Sequence, residues 1–266
     1  MGKPSGVQTG ARWGARWPAG WGIGLILALA ATCSKAQQDP KLVRLATLEW
    51  PPFTGLLLPK EGVSTYIATT VAKAAGLRLM AASFEWTKAV EKGEKSPEFD
   101  GYFPEYFSPE RASACYLSQS IGTSILGIAT LKSAPIKWTK LSDLEAYRLG
   151  VVDGYLNGEA FDAAIKDKRQ PVEPGPSDAA NIAKLRAGKI RGIVVDKNVL
   201  DYTLYKLKDS TSVVFTSRPI ARLSLHICFK RTPAGQQMRD AFDGALKQTD
   251  LAKLEADYFQ QMFSPR

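Results

Sequence analysis

Residues 148–196, RLGVVDGYLNGEAFDAAIKDKRQPVEPGPSDAANIAKLRAGKIRGIVVD, decide the fold class. Residues 148–152 are mostly apolar and β-branched and read as a strand. Asp153-Gly154-Tyr155 is a turn, and 158–166 places Phe161 and Ile165 on one helical face. Residues 172–176 are extended and broken by prolines. Ser177 then caps a helix to residue 185, which stops at Gly188. Residues 190–195 form an apolar run that ends at Asp196. A strand, a helix, a strand and a helix in alternation imply a mostly parallel sheet with helices on both faces.

The same alternation extends toward the N-terminus. Residues 42–48 alternate apolar and polar, as a strand does, and run into EWPPFTG at 49–55. Two prolines forbid helix or central strand there, so this is a shaped loop at a strand end. Residues 64–75 have helical spacing and are followed by Gly76; 77–82 and 99–102 read as the next two strands. Ser108 and Pro109 open a short helix, 109–114, carrying Arg111. Residues 125–131 are a strand, 132–140 a connector and 141–147 a short helix. Beyond 196 the chain reads as strands at 212–215 and 223–229. Two amphipathic helices follow, one with Met238, Phe242 and Leu246 on a face, the other with Leu251, Leu254, Tyr258 and Met262.

The first 36 residues stand apart. Lys3, Arg12 and Arg16 precede an apolar run at 21–32, too short to span a bilayer and the right length for a signal-peptide core. Ser34-Lys35-Ala36 supplies a small-residue cleavage site, so the mature chain is expected to begin near Gln37 in the periplasm. A lipid anchor at Cys33 is the lesser alternative. Of 35 Lys and Arg the leader holds four, which leaves 31 against 26 acids, a net charge of about +5. No Lys/Arg block suggests nucleic-acid binding. Cys115 and Cys228 remain, either as a disulfide or as two buried small apolar residues.

The residues point away from common catalytic machinery. His226, the only histidine, sits in an apolar strand and reads as a satisfied core residue. No GxSxG elbow, zinc-spaced Cys/His cluster, GxGxxG or Walker loop is present. Neither a catalytic residue nor a cofactor or metal is expected. Binding candidates are clearer. Trp50 and Phe53 lie where a strand ends, the place where α/β sheets hold ligands. Arg111 offers a planar fork for a carboxylate. Gly154 and Tyr155 precede a helix whose free N–H groups favour anions. Asp196 ends a buried strand, where it can receive an ammonium or cap the next segment.

In order, WPPF, Glu85-Trp86, FDG, SPER, LSQSI, LSDL, GVVDG, AANIAKLRAGKI and VVD resemble the family 3 periplasmic solute-binding proteins, which serve polar amino-acid importers. The resemblance runs over residues 42–263. It implies two Rossmann-like α/β lobes, type II in the binding-protein scheme, joined by a two-stranded hinge: 37–131 with 223–266, and 132–222. It also implies that Arg111 holds a ligand α-carboxylate, that Asp196 holds the α-ammonium, and that Trp50 packs on the ligand. Two stretches depart from the family. Phe103-Pro104-Glu105-Tyr106-Phe107 replaces a hydroxyl-rich segment, and Tyr155-Leu156 stand where a Thr or Ser completes the carboxylate site. Glu105 and Tyr106 therefore join the expected ligand contacts.

The expected function is capture of a small polar, carboxylate-bearing solute such as an amino acid, by a monomer that delivers it to an inner-membrane ABC permease. The alternatives are a periplasmic sensory or accessory binding module, and a dehydratase- or lyase-like enzyme on the same scaffold, with Glu105 as the acid.

Overall fold

The computed structural model describes residues 41–209 and 212–263, with Gly14. The leader and its cleavage site lie outside them. The first half of the chain runs β1 (Lys41–Thr47), α1 (Val63–Ala74), β2 (Leu77–Ser83), α2 (Trp86–Lys95), β3 (Gly101–Tyr106), α3 (Pro109–Ala114), β4 (Tyr116–Leu117) and β5 (Gly122–Leu131). A 3₁₀ turn at Leu141–Ala146 leads into β6 (Leu149–Val152), α4 (Glu159–Lys166), β7 (Val172–Gly175), α5 (Asp178–Arg186) and β8 (Gly192–Asp196). Then come α6 (Lys197–Lys206), β9 (Val213–Phe229), α7 (Pro233–Leu246) and α8 (Leu251–Phe263).

The strands lie in the order β2-β1-β3-β9-β5-β8-β6-β7, with β4 on β9. The β2-β1-β3 and β7-β6-β8 groups are each parallel, as their strand–helix–strand connections require. Between them run two long antiparallel strands, β5 and β9, that belong to both halves. The result is a two-lobed α/β fold, with β5 and β9 shared between the halves.

Each half buries apolar residues on the faces its periodicity predicts. Leu45 on β1, Val71 on α1, Phe229 on β9 and Phe242 on α7 are all buried to within 2%. In the second half Ile128, Leu144, Leu149 and Phe161 pack together. The larger core does not stop at the boundary. It continues through Trp50, Tyr106 and Leu126 to Ile193 and Val199, so the cleft between the halves is itself packed.

Several elements differ from the sequence expectation, β4 and α6 among them, where no strand or helix was expected. The strands expected at 212–215 and 223–229 are one, β9. Pro219, which withholds a ladder donor, falls where β5 and β9 slip register around Gly127. The strand expected at 99–102 begins later and extends through Pro104 to Tyr106, with a register irregularity between Tyr102 and Glu105. Helix α2 was not expected because its segment is strongly polar and holds Gly93. That glycine is buried against Tyr102, whose ring lies 2.6 Å from where a Cβ would stand. Cys115 and Cys228 are joined, with Cα atoms 5.6 Å apart, tying α3 to β9. Both ring nitrogens of His226 are bonded, to the Ser118 carbonyl and the Ser224 hydroxyl, each at 2.7 Å.

Candidate functional site

The site begins with the loop that ends β1. Trp50 N–H donates to the Thr54 carbonyl at 2.9 Å and Thr54 N–H donates back to Trp50 at 3.0 Å, closing a tight reversal. Thr54 Oγ1 anchors it on the Leu48 carbonyl at 2.7 Å. Gly62 fits beneath because it has no side chain: its φ is +102°, and a Cβ would meet the Phe53 carbonyl at 2.4 Å. This scaffold aims the Trp50 ring across the cleft. Phe53 stacks behind it, with centroids 4.3 Å apart, and is 2% exposed. Phe53 therefore supports the site and does not line it.

Across the cleft Trp50 Nε1 donates to Asp178 Oδ2 at 3.1 Å. Asp178 is the first residue of α5. Ser177 caps that helix by accepting from the Ala180 N–H at 3.2 Å, which leaves the Asp178 carboxylate free to turn inward. Trp86, at the start of α2, makes a second bridge, donating to the Gly154 carbonyl at 3.2 Å. Gly154 has φ +74°, the left-handed geometry that lets the turn after β6 present its carbonyl. Tyr155 then inserts between the two indoles, edge-on to each at 6.2 Å. Tyr106 closes the other side of Trp50, edge-on at 5.9 Å.

Asp196 lies beneath these rings and has two duties. Its Oδ1 caps α6 by accepting from the Asn198 and Val199 N–H groups at 2.7 and 3.1 Å. Its Oδ2 accepts from Ser124 Oγ at 2.6 Å and from the Ile125 N–H at 2.8 Å. Ser124 has one hydroxyl proton and gives it to Asp196, so the Tyr106 hydroxyl, 2.8 Å away, must donate to Ser124. A directed chain runs from Tyr106 through Ser124 to Asp196, joining the two halves of the molecule.

Burial dominates the charges here. It pushes the Asp178 carboxyl up to about 7, assisted by the nearby Asp196 and opposed by the Trp50 hydrogen bond. It also raises Asp196, against its four donors. Burial pushes Glu105 up to about 7, with the Arg111 guanidinium opposing.

The expected residues thus fall into two groups. Trp50, Glu105, Tyr106, Tyr155 and Asp196 line two small adjoining cavities in the cleft, of about 20 and 10 Å³. That is little more than the space one water needs. Gly154 lines neither cavity, its carbonyl held by Trp86. Arg111 lines neither cavity. Its Nε stands 3.0 Å from Glu105 Oε2 and its Nη1 3.8 Å from Glu94, an ion-paired arrangement with the side chain 23% exposed.

The sequence reading missed Asp178, Trp86 and Ser124 as site members. Asp178 follows a cap serine, so it reads as an ordinary first-turn acid. Trp86 alone carried a sequence signal, within the Glu85-Trp86 pair.

With this geometry in hand, the class is one of shape: the chain has the two-lobed α/β fold of the type II periplasmic-binding-protein architecture. Among solved structures it is similar to the GluR0 ligand-binding core from Nostoc punctiforme in complex with L-glutamate, at 17% identity and TM-score 0.67, covering 84% of this chain and all of that one. It is similar to the arginine-, lysine-, histidine-binding protein ArtJ from Geobacillus stearothermophilus, at 18% identity and TM-score 0.69, over 85% and 96% of the two chains. It is also similar to the ancestral amino acid-binding protein AncCDT-1, a precursor of cyclohexadienyl dehydratase, at 18% identity and TM-score 0.67, over 84% and 96%. No protein-family model matches the sequence, and no curated protein sequence does. Among the described residues no helix is long and apolar enough to cross a membrane.

Proposed function

We propose that this chain is a periplasmic solute-binding protein that captures a small polar molecule between its lobes and presents it to an ABC-type permease. The observation that carries the proposal is the meeting of Trp50 and Tyr106 from one half with Asp178 and Asp196 from the other, across a cleft that β5 and β9 span. Residues 37–131 with 223–266 form one lobe in this reading, and 132–222 the other. Hinge closure acts where β5 and β9 slip register around Gly127 and Pro219. The three solved structures above, two of them named as amino-acid binders and one holding L-glutamate, support the reading through their fold.

A carboxylate-bearing ligand gripped by Arg111 is the narrower form of this proposal. It requires the ligand carboxylate to take Arg111 from Glu105 and Glu94. Thermal-shift screening of polar solutes against the wild type and Arg111→Ala tests both levels. A true ligand at a hundredfold excess over Kd stabilises the wild type by about 2.7 kcal/mol. If Arg111→Ala is stabilised equally, the carboxylate grip is wrong. If no solute stabilises either protein, the binding proposal fails.

One observation favours a second reading, an enzyme of the dehydratase or lyase kind. Glu105 lines the larger cavity, and burial holds its carboxyl near neutrality, as a general acid requires. Incubation with candidate hydroxy acids discriminates: product that disappears in Glu105→Gln supports it, and a ligand recovered unchanged opposes it.

A further inference from the structure

The charges at the cleft are all of one sign. The two cavities are bordered by Glu105, Asp178 and Asp196, and among the described residues by no lysine or arginine. Arg111 lines neither cavity, and it is already ion-paired with Glu105 and Glu94. An anionic group entering here would be desolvated beside three acids with no positive partner lining the space. A cation would meet the reverse situation.

The acids differ in how well they are satisfied. Asp196 accepts four hydrogen bonds. Asp178 is 92% buried, yet among the described residues it accepts only one, from the Trp50 indole. A carboxylate has about four acceptor sites, so Asp178 keeps most of its capacity unused in a place water barely reaches. Among the described residues that partner is a side chain of the opposite lobe, which moves away when the lobes separate.

Around this acid the rings stand at right angles. Tyr155 is turned 79° from Trp50 and 86° from Trp86, and Tyr106 is turned 84° from Trp50. Trp50, Trp86, Tyr106 and Tyr155 all line the larger of the two cavities, and aromatic rings attract an ammonium group by the ring quadrupole. The apolar neighbours Leu48, Pro104 and Leu156 complete a wall suited to alkyl substituents.

We infer that the cleft takes a small organic cation, its ammonium group held by Asp178 and Asp196 and boxed by Trp50, Trp86, Tyr106 and Tyr155. This deepens, and rests on, the binding-protein reading. The ligand enters with the lobes apart and takes the place on Asp178 that the Trp50 N–H occupies in the closed form. Arg111 then serves to neutralise Glu105 and Glu94, not to grip the ligand.

The test is isothermal titration of the purified mature chain at pH 8 with three probes: choline, its uncharged isostere 3,3-dimethylbutan-1-ol, and L-glutamate. Choline is expected to bind, the isostere at least tenfold more weakly, and L-glutamate not at all. Asp178→Asn should weaken choline at least tenfold, while circular dichroism shows it folded. Leu57→Ala, at an exposed position outside both cavity linings, should leave choline affinity within about twofold. Binding of L-glutamate in preference to choline overturns the inference and leaves the binding-protein reading standing. Equal binding of choline and its isostere overturns the charge requirement on which the inference depends. No binding of choline overturns the inference outright, and the wider reading is then decided by the solute screen and by what co-purifies.

Discussion

Replacing Asp178 by asparagine should make this protein more stable in mild alkali and leave it unchanged in acid. The folded carboxyl is held near 7, against an ordinary value of 3.8, because burial and Asp196 both disfavour its charge. Between those values the folded state keeps a proton that the unfolded chain has lost. The protonated group's contribution is fully present below about pH 4 and is lost as pH rises through about 7. Each unit of displacement is worth about 1.4 kcal/mol, so by pH 8 the carboxylate costs at most about 4 kcal/mol. Asparagine cannot ionise, has nearly the same shape, and keeps an oxygen to accept from Trp50 Nε1. The difference between the two proteins should therefore approach zero at pH 4 and reach its maximum by pH 8. There it corresponds to a rise in Tm on the order of 10 °C for a chain of this size. Melting curves from pH 4 to 8, followed by circular dichroism, measure it directly. Glu105, also near 7, gives both proteins a similar slope and largely cancels in the difference. A variant less stable than the wild type at pH 8, or a difference that does not vary with pH, refutes the reasoning. Confirmation would mean that the chain keeps a destabilising buried acid at its cleft, as a ligand site does.

Other perturbations have outcomes as definite. Trp50→Phe removes the indole donor to Asp178 and should cost about 1–3 kcal/mol at pH 8; adding Asp178→Asn should recover part of that loss, read by a double-mutant cycle of urea midpoints. Breaking the Cys115–Cys228 bond releases a loop of sequence separation 113, and Cys115→Ala with Cys228→Ala should lower unfolding free energy by roughly 3–5 kcal/mol. Gly62→Ala places a methyl against the Phe53 carbonyl at a φ that L residues avoid; it should cost at least about 1–3 kcal/mol and disturb near-ultraviolet circular dichroism from the displaced Trp50 loop.

The order of strands and helices was legible because it rests on local signals. Ser108, Ser177 and Gly76 mark boundaries by backbone chemistry that needs no distant partner. What was not legible depended on register and direction. The continuity of β9 turns on Pro219 meeting an irregularity in β5, a property of two strands about ninety residues apart. Where the Arg111 guanidinium points is set by Glu105, six positions earlier, on a strand whose pairing slips just before it. The sequence offered Arg111 as a carboxylate grip; in the fold it is already paired. Conversely Asp178 carries no special spacing, and only the packing of α5 against the Trp50 loop makes it a cleft residue. Trp50, Tyr106, Tyr155 and Asp196 were found from their places at strand ends and in the departures from the family pattern, and the fold brings all four together. The cysteines left two readings open, and the disulfide resolves them.

Native mass spectrometry of the freshly purified protein tests the central claim, that the two lobes hold a small molecule between them. The account predicts one small molecule per chain, retained when the exposed Leu57 is changed to alanine and lost when Trp50 is changed to phenylalanine together with Asp178 to asparagine. A chain recovered at its bare mass that takes up nothing from a mixture of small polar solutes would contradict it, as would an adduct that the cleft substitutions leave in place.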